Sequence, residues 1–194
     1  MTIEVRPATR ADAGALERVL GEAFQVEPVY VWLFPHPERR RRRLAPLIRT
    51  MRTHLYRDAV DQVATLDGVV VGAAVWDPPG HRTAGPWQVA RALPGMLRAT
   101  GARLPDLARL GSGLEAARPT TPHWYLFHVG VAPQRQGHGV GSALLHGMPP
   151  LRDGSPAHLE CKPEHVGFYA RFGFAVSGEV AVDPGLSVVT MWRD

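Results

Sequence analysis

The segment PQRQGHGVGSALL, residues 133–145, decides how the rest of this sequence is interpreted. It places glycine at 137, 139 and 141, between an apolar segment typical of a buried strand and the first apolar residues of a helix. Amides at a helix N-terminus lack partners within the helix and carry partial positive charge, and glycine lets a ligand approach them without a Cβ in the way. The segment therefore indicates either a loop that binds a diphosphate group or a tight strand-to-helix turn without a ligand.

Two other phosphate-binding patterns fit this segment poorly. A dinucleotide-binding fingerprint requires G-x-G-x-x-G immediately after its strand, but Ser142 stands at the third glycine position and residues 132–136 separate the strand from the first glycine. A P-loop requires Gly-Lys followed by Ser or Thr, and the segment has no lysine. Nucleotide-dependent oxidoreduction is therefore kept only as a third hypothesis for the function, after the two given at the end of this subsection.

Hydrophobic periodicity on both sides of the segment predicts a mixed α/β order. Strands are predicted in a final antiparallel pair and at 3–7, 62–76, 123–131 and 157–161, where Asp67-Gly68 folds 62–76 into a hairpin. Helices are predicted after Asp12, at 38–56, over 86–117 with interruptions near Pro94 and Gly101, at 139–146 and at 163–174. The aromatic segment 29–37 is predicted to be a loop. This order favours one sheet with helices on both faces.

Composition limits the classes of protein to consider. A chain of 194 residues with 45% hydrophobic content suits one globular domain. The formal net charge of +4 allows an anionic ligand without requiring nucleic acid, and apolar stretches such as 69–76 are too short to span a bilayer. The single cysteine, Cys161, excludes an intramolecular disulfide and a cysteine cluster for zinc. We therefore expect a cytoplasmic protein with no metal site and no nucleic-acid or membrane partner.

Two motifs at a fixed separation make the sequence similar to one known family. Gln136, Gly139 and Gly141 occupy the fixed positions of Q/R-x-x-G-x-G/A, and FHVGVAP before them resembles the strand that leads into that loop. Downstream, HVGFYARFGF at 165–174 resembles a helix that carries a tyrosine and closes in Gly-Phe. Together with the N-terminal VRPATRADAGAL, these motifs resemble the GNAT superfamily of acetyl-CoA-dependent N-acetyltransferases over nearly the whole chain.

The resemblance implies a fold and a cofactor. It implies a single GNAT-like domain over residues 1–194, with a mixed, mostly antiparallel sheet of about seven strands and helices on both faces. It also implies acetyl-CoA, whose pantetheine arm would pair with the backbone of Val129 and Val131 and whose pyrophosphate would rest on the loop amides. The implied cofactor-binding residues are Val129, Gly130, Val131, Gln136, Gly137, His138, Gly139, Val140, Gly141 and Ser142.

Acetyl transfer needs a neutral amine and an acid that protonates the departing thiolate. The resemblance implies Tyr169 as this acid, whereas the residues alone favour an aromatic core position beside Phe168 and Phe172. Glu160 and His128 are the candidates for the base, directly or through water. Strand alternation would point His128 away from Tyr125, unless a bulge intervenes.

Two positions depart from the pattern of the family. Tyr125 lies where many relatives carry a glutamate on the strand, so an acidic base at that position is missing. His165 stands where the second motif commonly has Asn, which puts in doubt the hydrogen bond that the Asn would make. A water chain is the alternative route for the proton from the amine.

Three further features of the sequence have a functional and a simpler structural interpretation. The run Arg39–Arg43 is expected to be a solvated helix face, because five consecutive residues cover all sides of a helix. Tyr30, Trp32 and Phe34 would wall the acceptor site or else be buried in the core. The remaining histidines that we considered show no spacing typical of metal ligands: His36, His54, His81, His123, His146 and His158.

The sequence thus predicts an acetyl-CoA-dependent N-acetyltransferase that acts on the primary amine of a small-molecule acceptor, by direct transfer in a ternary complex. The alternative is a catalytically inactive acyl-CoA-binding or regulatory module that keeps the cofactor groove but lacks a competent base. The C-terminal strand pair offers an edge through which a homodimer could form.

Overall fold

The computed structural model describes residues 2–80 and 84–194. Its strands are β1 (Ile3–Pro7), β2 (Val60–Leu66), β3 (Val69–Asp77), β4 (Trp124–Val131), β5 (Ala157–Cys161), β6 (Ala175–Asp183) and β7 (Leu186–Arg193). They form a seven-stranded sheet in the order β1-β2-β3-β4-β5-β7-β6. Strands β4 and β5 pair in parallel, and the other neighbouring pairs in the described residues are antiparallel.

Helices cover both faces of this sheet. They are α1 (Ala13–Ala23), α2 (Pro28–Leu33), α3 (Pro37–His54), α4 (Pro86–Thr100), α5 (Leu104–Ala117), α6 (Val140–His146), α7 (Pro150–Asp153) and α8 (Val166–Ala170). Leu20 of α1 and Leu47 of α3 lie in one buried cluster, and Leu144 of α6 and Tyr169 of α8 lie in a second cluster. The predicted fold class, a mostly antiparallel mixed sheet with helices on both faces, is confirmed.

The parallel strands β4 and β5 separate part of the way along the sheet. Their pairing covers only Trp124 to Leu126 of β4, opposite Ala157 to Leu159 of β5. Strand β4 nevertheless continues beside β3 as far as Val131. The edge of β4 that faces β5 is therefore open after Leu126, which leaves a notch between the two strands.

A β-bulge reverses one prediction about side-chain direction. Val75 of β3 lies opposite His128 and Trp76 lies opposite Leu126, so Phe127 is the extra residue on β4. The rings of Phe127 and His128 are 3.9 Å apart between centroids, on the face that α1 and α3 cover. Val129 packs on the opposite face. His128 therefore lies on the same face as Phe127 and Tyr125, as expected if a bulge intervenes, and not on the face that simple alternation gives.

The predicted hairpin between β2 and β3 is confirmed. Asp67 and Gly68 both have positive φ, at 50° and 78°, as a tight primed turn requires.

Three predicted boundaries are wrong. The predicted loop at 29–37 contains α2, because Pro28 occupies the first helical turn, where its missing N–H costs nothing. The helix predicted at 163–174 is α-helical only over α8, which follows a 3₁₀ turn at Pro163–His165. The interruption predicted near Pro94 does not occur, because Pro94 lies inside α4, whereas the one predicted near Gly101 is confirmed: it separates α4 from α5, and Gly101 has a φ of 59°.

Two observations concern binding to a membrane and to a metal ion. No helix in the described part of the chain combines the length and the apolar character that crossing a membrane requires. Within residues 2–80 and 84–194, no group of three or more His, Cys, Asp or Glu side chains could hold a metal ion. His81 and part of the predicted loop at 77–84 lie outside the described residues.

The contact between α1 and α3 allows a test of the packing. A Cβ at Gly21 would lie 2.8 Å from the Cβ of Ala45, whereas a Cβ at Gly14 on the same helix would meet nothing within 4 Å. We expect Gly21→Ala to lower the free energy of unfolding by about 1–3 kcal/mol because it overpacks the contact. Gly14→Ala, the matched control, should raise it by up to about 1 kcal/mol. Urea denaturation measures both values, and equal effects of the two variants would contradict this packing.

Candidate functional site

A cavity of about 770 Å³ occupies the notch between β4 and β5. It is lined by the segment around residue 139, by β4 and β5, by the helix that carries Tyr169, and by α5. The three predicted catalytic residues all line it: His128, Glu160 and Tyr169. The structure therefore brings together side chains that are far apart in the sequence.

The glycine segment forms the entrance to α6. Gly137 and Gly139 have φ of +77° and +81°, a conformation that other residues rarely adopt, and a Cβ at Gly137 would meet nothing within 4 Å. Ala143 N donates to Gly139 O, so the amides at 140–142 lie in the first turn of α6, where they have no acceptor within the helix. Gln136 Nε2 donates to Val131 O at 3.1 Å and holds the segment against β4.

Nine of the ten predicted cofactor-binding residues line the cavity. The exception is His138, whose exposed ring donates from Nδ1 to the carbonyl of Gln136 at 2.7 Å. The neighbouring glycines therefore open the segment toward the cavity, while His138 lies outside its lining.

Two exposed arginines extend this end of the cavity, and the sequence analysis missed both of them. Arg135 lies directly before Gln136, and Arg171 follows α8 with its guanidinium carbon 5.1 Å from the centroid of the Phe168 ring. Cationic side chains next to free amides favour a multiply charged anion such as a diphosphate. Their positions in or next to the two motifs are the feature of the sequence that could have identified these arginines.

Tyr169 is a buried phenol in the wall of the cavity. It is 6% exposed, and the centroid of its ring lies 5.2 Å from that of Phe168. Burial raises the pKa of Tyr169 above its ordinary value, and Cys161 and Glu27 raise it further. The hydroxyl is therefore protonated at neutral pH and can act as a proton donor.

Glu160 is held in a network of polar side chains on the other face of β5 from Cys161, because Leu159 and Cys161 of this strand pack in the cluster that contains Tyr169. Tyr125 Oη donates to Glu160 Oε2 at 2.7 Å, and His158 Nε2 lies 3.2 Å from Glu160 Oε1. Both carboxylate oxygens therefore have a partner. A carboxylate in this arrangement fixes Tyr125 in place, and it would have to exchange a partner in order to accept a proton from a substrate.

His128 is buried and uncharged. Its Nε2 lies 2.5 Å from the hydroxyl of Tyr30, on α2, and the Phe24 ring packs against it with 4.9 Å between centroids. Burial lowers the pKa of His128 to about 3. A group with so low a pKa accepts protons poorly at neutral pH, so the geometry suits a role in positioning Tyr30 better than the role of base.

Glu27 is a carboxylate of the site that the sequence analysis missed. It precedes Pro28 at the start of α2, lines the cavity, and has its Oε2 4.0 Å from the Nζ of Lys162. Burial raises the pKa of Glu27, with Lys162 opposing this shift and Glu164 adding to it. Tyr169 lines the same cavity, and Glu27 contributes to the raised pKa of that phenol. The only signal in the sequence was an acidic residue before a proline.

Cys161, at the end of β5, has its thiol in the wall of the same cavity. Its Sγ lies 3.7 Å from the Sδ of Met191, and burial, with Glu27 and Glu160, raises the pKa of the thiol to about 12. This cysteine is therefore an uncharged thiol at neutral pH and a poor nucleophile.

The other candidates from the sequence have different positions. Tyr30 lines the cavity, whereas Trp32 is outside its lining and donates from Nε1 to Asp183 at 2.9 Å. Phe34 is 5% exposed and belongs to the core. His165 lines the cavity, and burial lowers its pKa.

The arginine run at 39–43 is only partly a solvated face. Arg40 is buried and donates to Phe34 O at 2.6 Å, and Arg43 donates to Ala99 O at 3.0 Å. Arg39, Arg41 and Arg42 are exposed. The run therefore contributes to helix packing as well as to the charged surface.

Comparison with known proteins relates this site to one family. A family model, the acetyltransferase (GNAT) domain, matches residues 111–193. The chain is 30% identical to the protein in the crystal structure of "histone acetyltransferase HPA2 and related acetyltransferase" from Corynebacterium glutamicum ATCC 13032, with a TM-score of 0.75. That similarity covers 100% of this chain and 96% of the other.

More distant structures share the fold. A GNAT family acetyltransferase from Brucella melitensis, solved in complex with acetyl-CoA, is 19% identical with a TM-score of 0.53, over 97% of this chain and 86% of that chain. A polyamine N-acetyltransferase from Drosophila melanogaster, which forms N-acetylagmatine, is 17% identical with a TM-score of 0.63, over 98% and 99% of the two chains.

Proposed function

The chain belongs to the GNAT superfamily of acetyltransferases, and from this premise we propose that it transfers the acetyl group of acetyl-CoA to the primary amine of a small molecule. The proposed reaction is a direct transfer in a ternary complex. The observation that carries the proposal is a single cavity that joins the glycine segment to a buried phenol, Tyr169, and a half-buried carboxylate, Glu27.

The residues present suit acetyl-CoA. Amides from Gly137 to Ser142, with Arg135 and Arg171, would hold its phosphates, because the left-handed glycines leave the loop open to an anion. The backbone of Val129 and Val131 follows the open edge of β4, where a pantetheine arm could pair as an added strand. When bound, acetyl-CoA supplies a thioester carbon that an amine can attack.

Tyr169 and Glu27 have the properties of an acid and a base for this transfer. An alkyl ammonium has a pKa near 10.4, so a base must remove its proton before the amine can attack the thioester carbon. We assign this step to Glu27, whose Oε2 lies 4.0 Å from the Nζ of Lys162, rather than to Glu160 or His128. Tyr169 then donates its proton to the departing thiolate, and the second proton lost by the nitrogen restores the phenol.

Amine-dependent release of thiol from acetyl-CoA tests the proposal. We expect the purified protein to release CoA faster when a primary amine is added than with acetyl-CoA alone. Tight binding of acetyl-CoA without amine-dependent release for any amine in a broad panel would instead support the catalytically inactive module. A thermal shift caused by NAD but not by CoA would support nucleotide-dependent oxidoreduction and contradict the proposal.

Gly139 provides a test of the cofactor loop. Alanine at its φ of +81° is strained by about 1–2 kcal/mol, so we expect Gly139→Ala to weaken acetyl-CoA binding about tenfold. Gly68, with a φ of +78° in the turn between β2 and β3, is the matched control. Gly68→Ala should lose similar stability and keep the affinity of the parent protein. Calorimetric titration measures both dissociation constants, and equal affinity of the two variants would contradict the assignment.

We place the protein in the cytoplasm, because its one cysteine, Cys161, is a free buried thiol. A homodimer could form through β6, which lies at an edge of the sheet. Size-exclusion chromatography with light scattering tests the homodimer, and a monomeric mass at all concentrations would contradict it.

A further inference from the structure

The cavity has an apolar part beneath α5, which we call the acceptor compartment. Its lining includes six apolar or aromatic side chains: Met51, Tyr56, Leu107, Leu110, Leu114 and Phe127. Tyr56 and Phe127 stack with 3.8 Å between ring centroids. An apolar surface of this kind favours an uncharged, apolar body in the ligand.

Helix α5 presents one continuous face to this compartment. Leu107, Leu110 and Leu114 follow each other at intervals of three and four residues, which places them on the same side of a helix. Glu115 and Arg118 continue that face to the end of the helix. The helix therefore acts as the roof of the compartment, opposite Phe127 on the sheet.

The charged groups that line the compartment are already bound to one another. Arg118 Nη1 lies 3.1 Å from Glu115 Oε2, and its guanidinium carbon lies 3.7 Å from the centroid of the Tyr125 ring. Tyr125 donates in turn to Glu160, which also has His158 as a partner. A second charge on an acceptor would have to break one of these buried pairs, which is unfavourable.

Glu27 differs from these groups. It is half-buried, and Lys162 lies at the outer limit of an ion pair, 4.0 Å away. The charged form of a carboxylate that has lost part of its solvation and has no close cation is stabilised when an ammonium group binds beside it. The cavity thus combines an anionic group at Glu27 with the apolar side chains of the acceptor compartment.

From this arrangement we propose that the acceptor is a primary monoamine with an uncharged apolar or aromatic body, bound with its ammonium group at Glu27 and its body in the acceptor compartment. This inference rests on the proposed function and narrows it. It disfavours polyamines and amino acids, whose additional charges would enter the apolar part of the cavity.

A matched pair of amines tests the proposal directly. Hexylamine and hexamethylenediamine have the same six-carbon body, and the diamine adds a second ammonium group. With acetyl-CoA as donor, we expect kcat/KM for hexylamine to exceed that for hexamethylenediamine by about tenfold or more. We expect kcat/KM for phenethylamine to exceed that for spermidine and that for agmatine by a similar factor. The inference would be overturned if kcat/KM for hexamethylenediamine equalled or exceeded that for hexylamine, or if kcat/KM for spermidine or agmatine equalled or exceeded that for phenethylamine.

The panel also separates this inference from the proposed function. Activity confined to polyamines would leave the acetyltransferase proposal intact and overturn the apolar class of acceptor. No amine-dependent thiol release from any member of the panel would overturn both.

Two glycines of α5 provide a matched pair of variants. A Cβ at Gly111, which lines the cavity, would meet nothing within 4 Å, and a Cβ at Gly113, outside the lining, would lie 3.8 Å from Val180. We expect Gly111→Leu to lower kcat/KM for phenethylamine about tenfold while affecting ethylamine much less. Gly113→Leu should match the parent protein. Equal kcat/KM ratios in the two variants, with cooperative unfolding of both, would contradict the placement of the acceptor body beneath α5.

Discussion

Replacing Tyr169 by phenylalanine is expected to lower kcat for acetyl transfer by about 10²–10⁴-fold, the usual contribution of a positioned acid. The pKa of this phenol is raised by burial, so it holds its proton until a stronger base, the departing thiolate, appears beside it. The KM for acetyl-CoA should change little, because the loop that would bind the phosphates is untouched. Steady-state thiol release with a reactive amine measures both constants.

A second donor distinguishes acid catalysis from a structural role. An activated aryl acetate has a leaving group that departs without a proton, so the loss caused by Tyr169→Phe should shrink with this donor. Phe172→Leu is the control for packing, because Phe172 lies 5.4 Å from Phe168 between ring centroids but is outside the lining of the cavity. A kcat of Tyr169→Phe within about twofold of the parent protein would exclude Tyr169 as the acid.

Replacing Glu27 by glutamine is expected to lower kcat/KM for the amine at pH 7 by about 10²-fold or more. An amine with a pKa near 10.4 is neutral in less than about one molecule in a thousand at pH 7, and the variant has to use this small neutral fraction. Glutamine also removes the charge that attracts the ammonium group, so KM for the amine should rise. Glu22→Gln is the control, because Glu22 pairs with Arg18 at 3.7 Å on α1 and is outside the lining of the cavity.

The pH dependence separates loss of a base from a general defect. Burial raises the pKa of Glu27, so kcat/KM of the parent protein should fall as the pH drops through a value above that of an ordinary glutamate. The variant has no Glu27 carboxylate to titrate, so its kcat/KM should rise about tenfold per pH unit as more of the amine becomes neutral. The ratio of parent to variant therefore shrinks as the pH approaches 9. A constant ratio across this range would assign the base to another group, with Glu160 the next to test.

The parts of the site that could be predicted from the sequence are those fixed by local geometry. Positive φ at Gly137 and Gly139 follows from the spacing of glycines before a helix, and both residues adopt it. The hairpin at Asp67-Gly68 is equally local. The position of Tyr169 beside the same cavity followed from two motifs at a fixed separation rather than from periodicity.

The residues that the sequence analysis missed owe their roles to tertiary packing. The bulge at Phe127 depends on how β4 pairs with β3, and it alone decides the face on which His128 lies. Glu27 acquires its raised pKa only because the folded chain partly buries its carboxylate. The leucines of α5 have ordinary helical spacing, and nothing local indicates that this face forms the roof of a cavity rather than part of the core.

The errors in the predicted helix boundaries come from prolines, whose effect on the helix depends on their position in it. Proline at both ends of 29–37 favoured a loop, although Pro28 is compatible with the first turn of a helix. Pro94 was expected to interrupt a helix, yet α4 continues through it, whereas the interruption expected near Gly101 does occur there.

Calorimetric titration of the folded protein with acetyl-CoA tests the central claim most directly, because every step of the proposed chemistry requires the glycine loop and the open edge of β4 to hold this molecule. The account predicts saturable binding at one site per chain, with weaker binding by Gly139→Ala and unchanged binding by Gly68→Ala. The absence of binding heat up to millimolar acetyl-CoA or CoA, from protein that unfolds cooperatively, would contradict it.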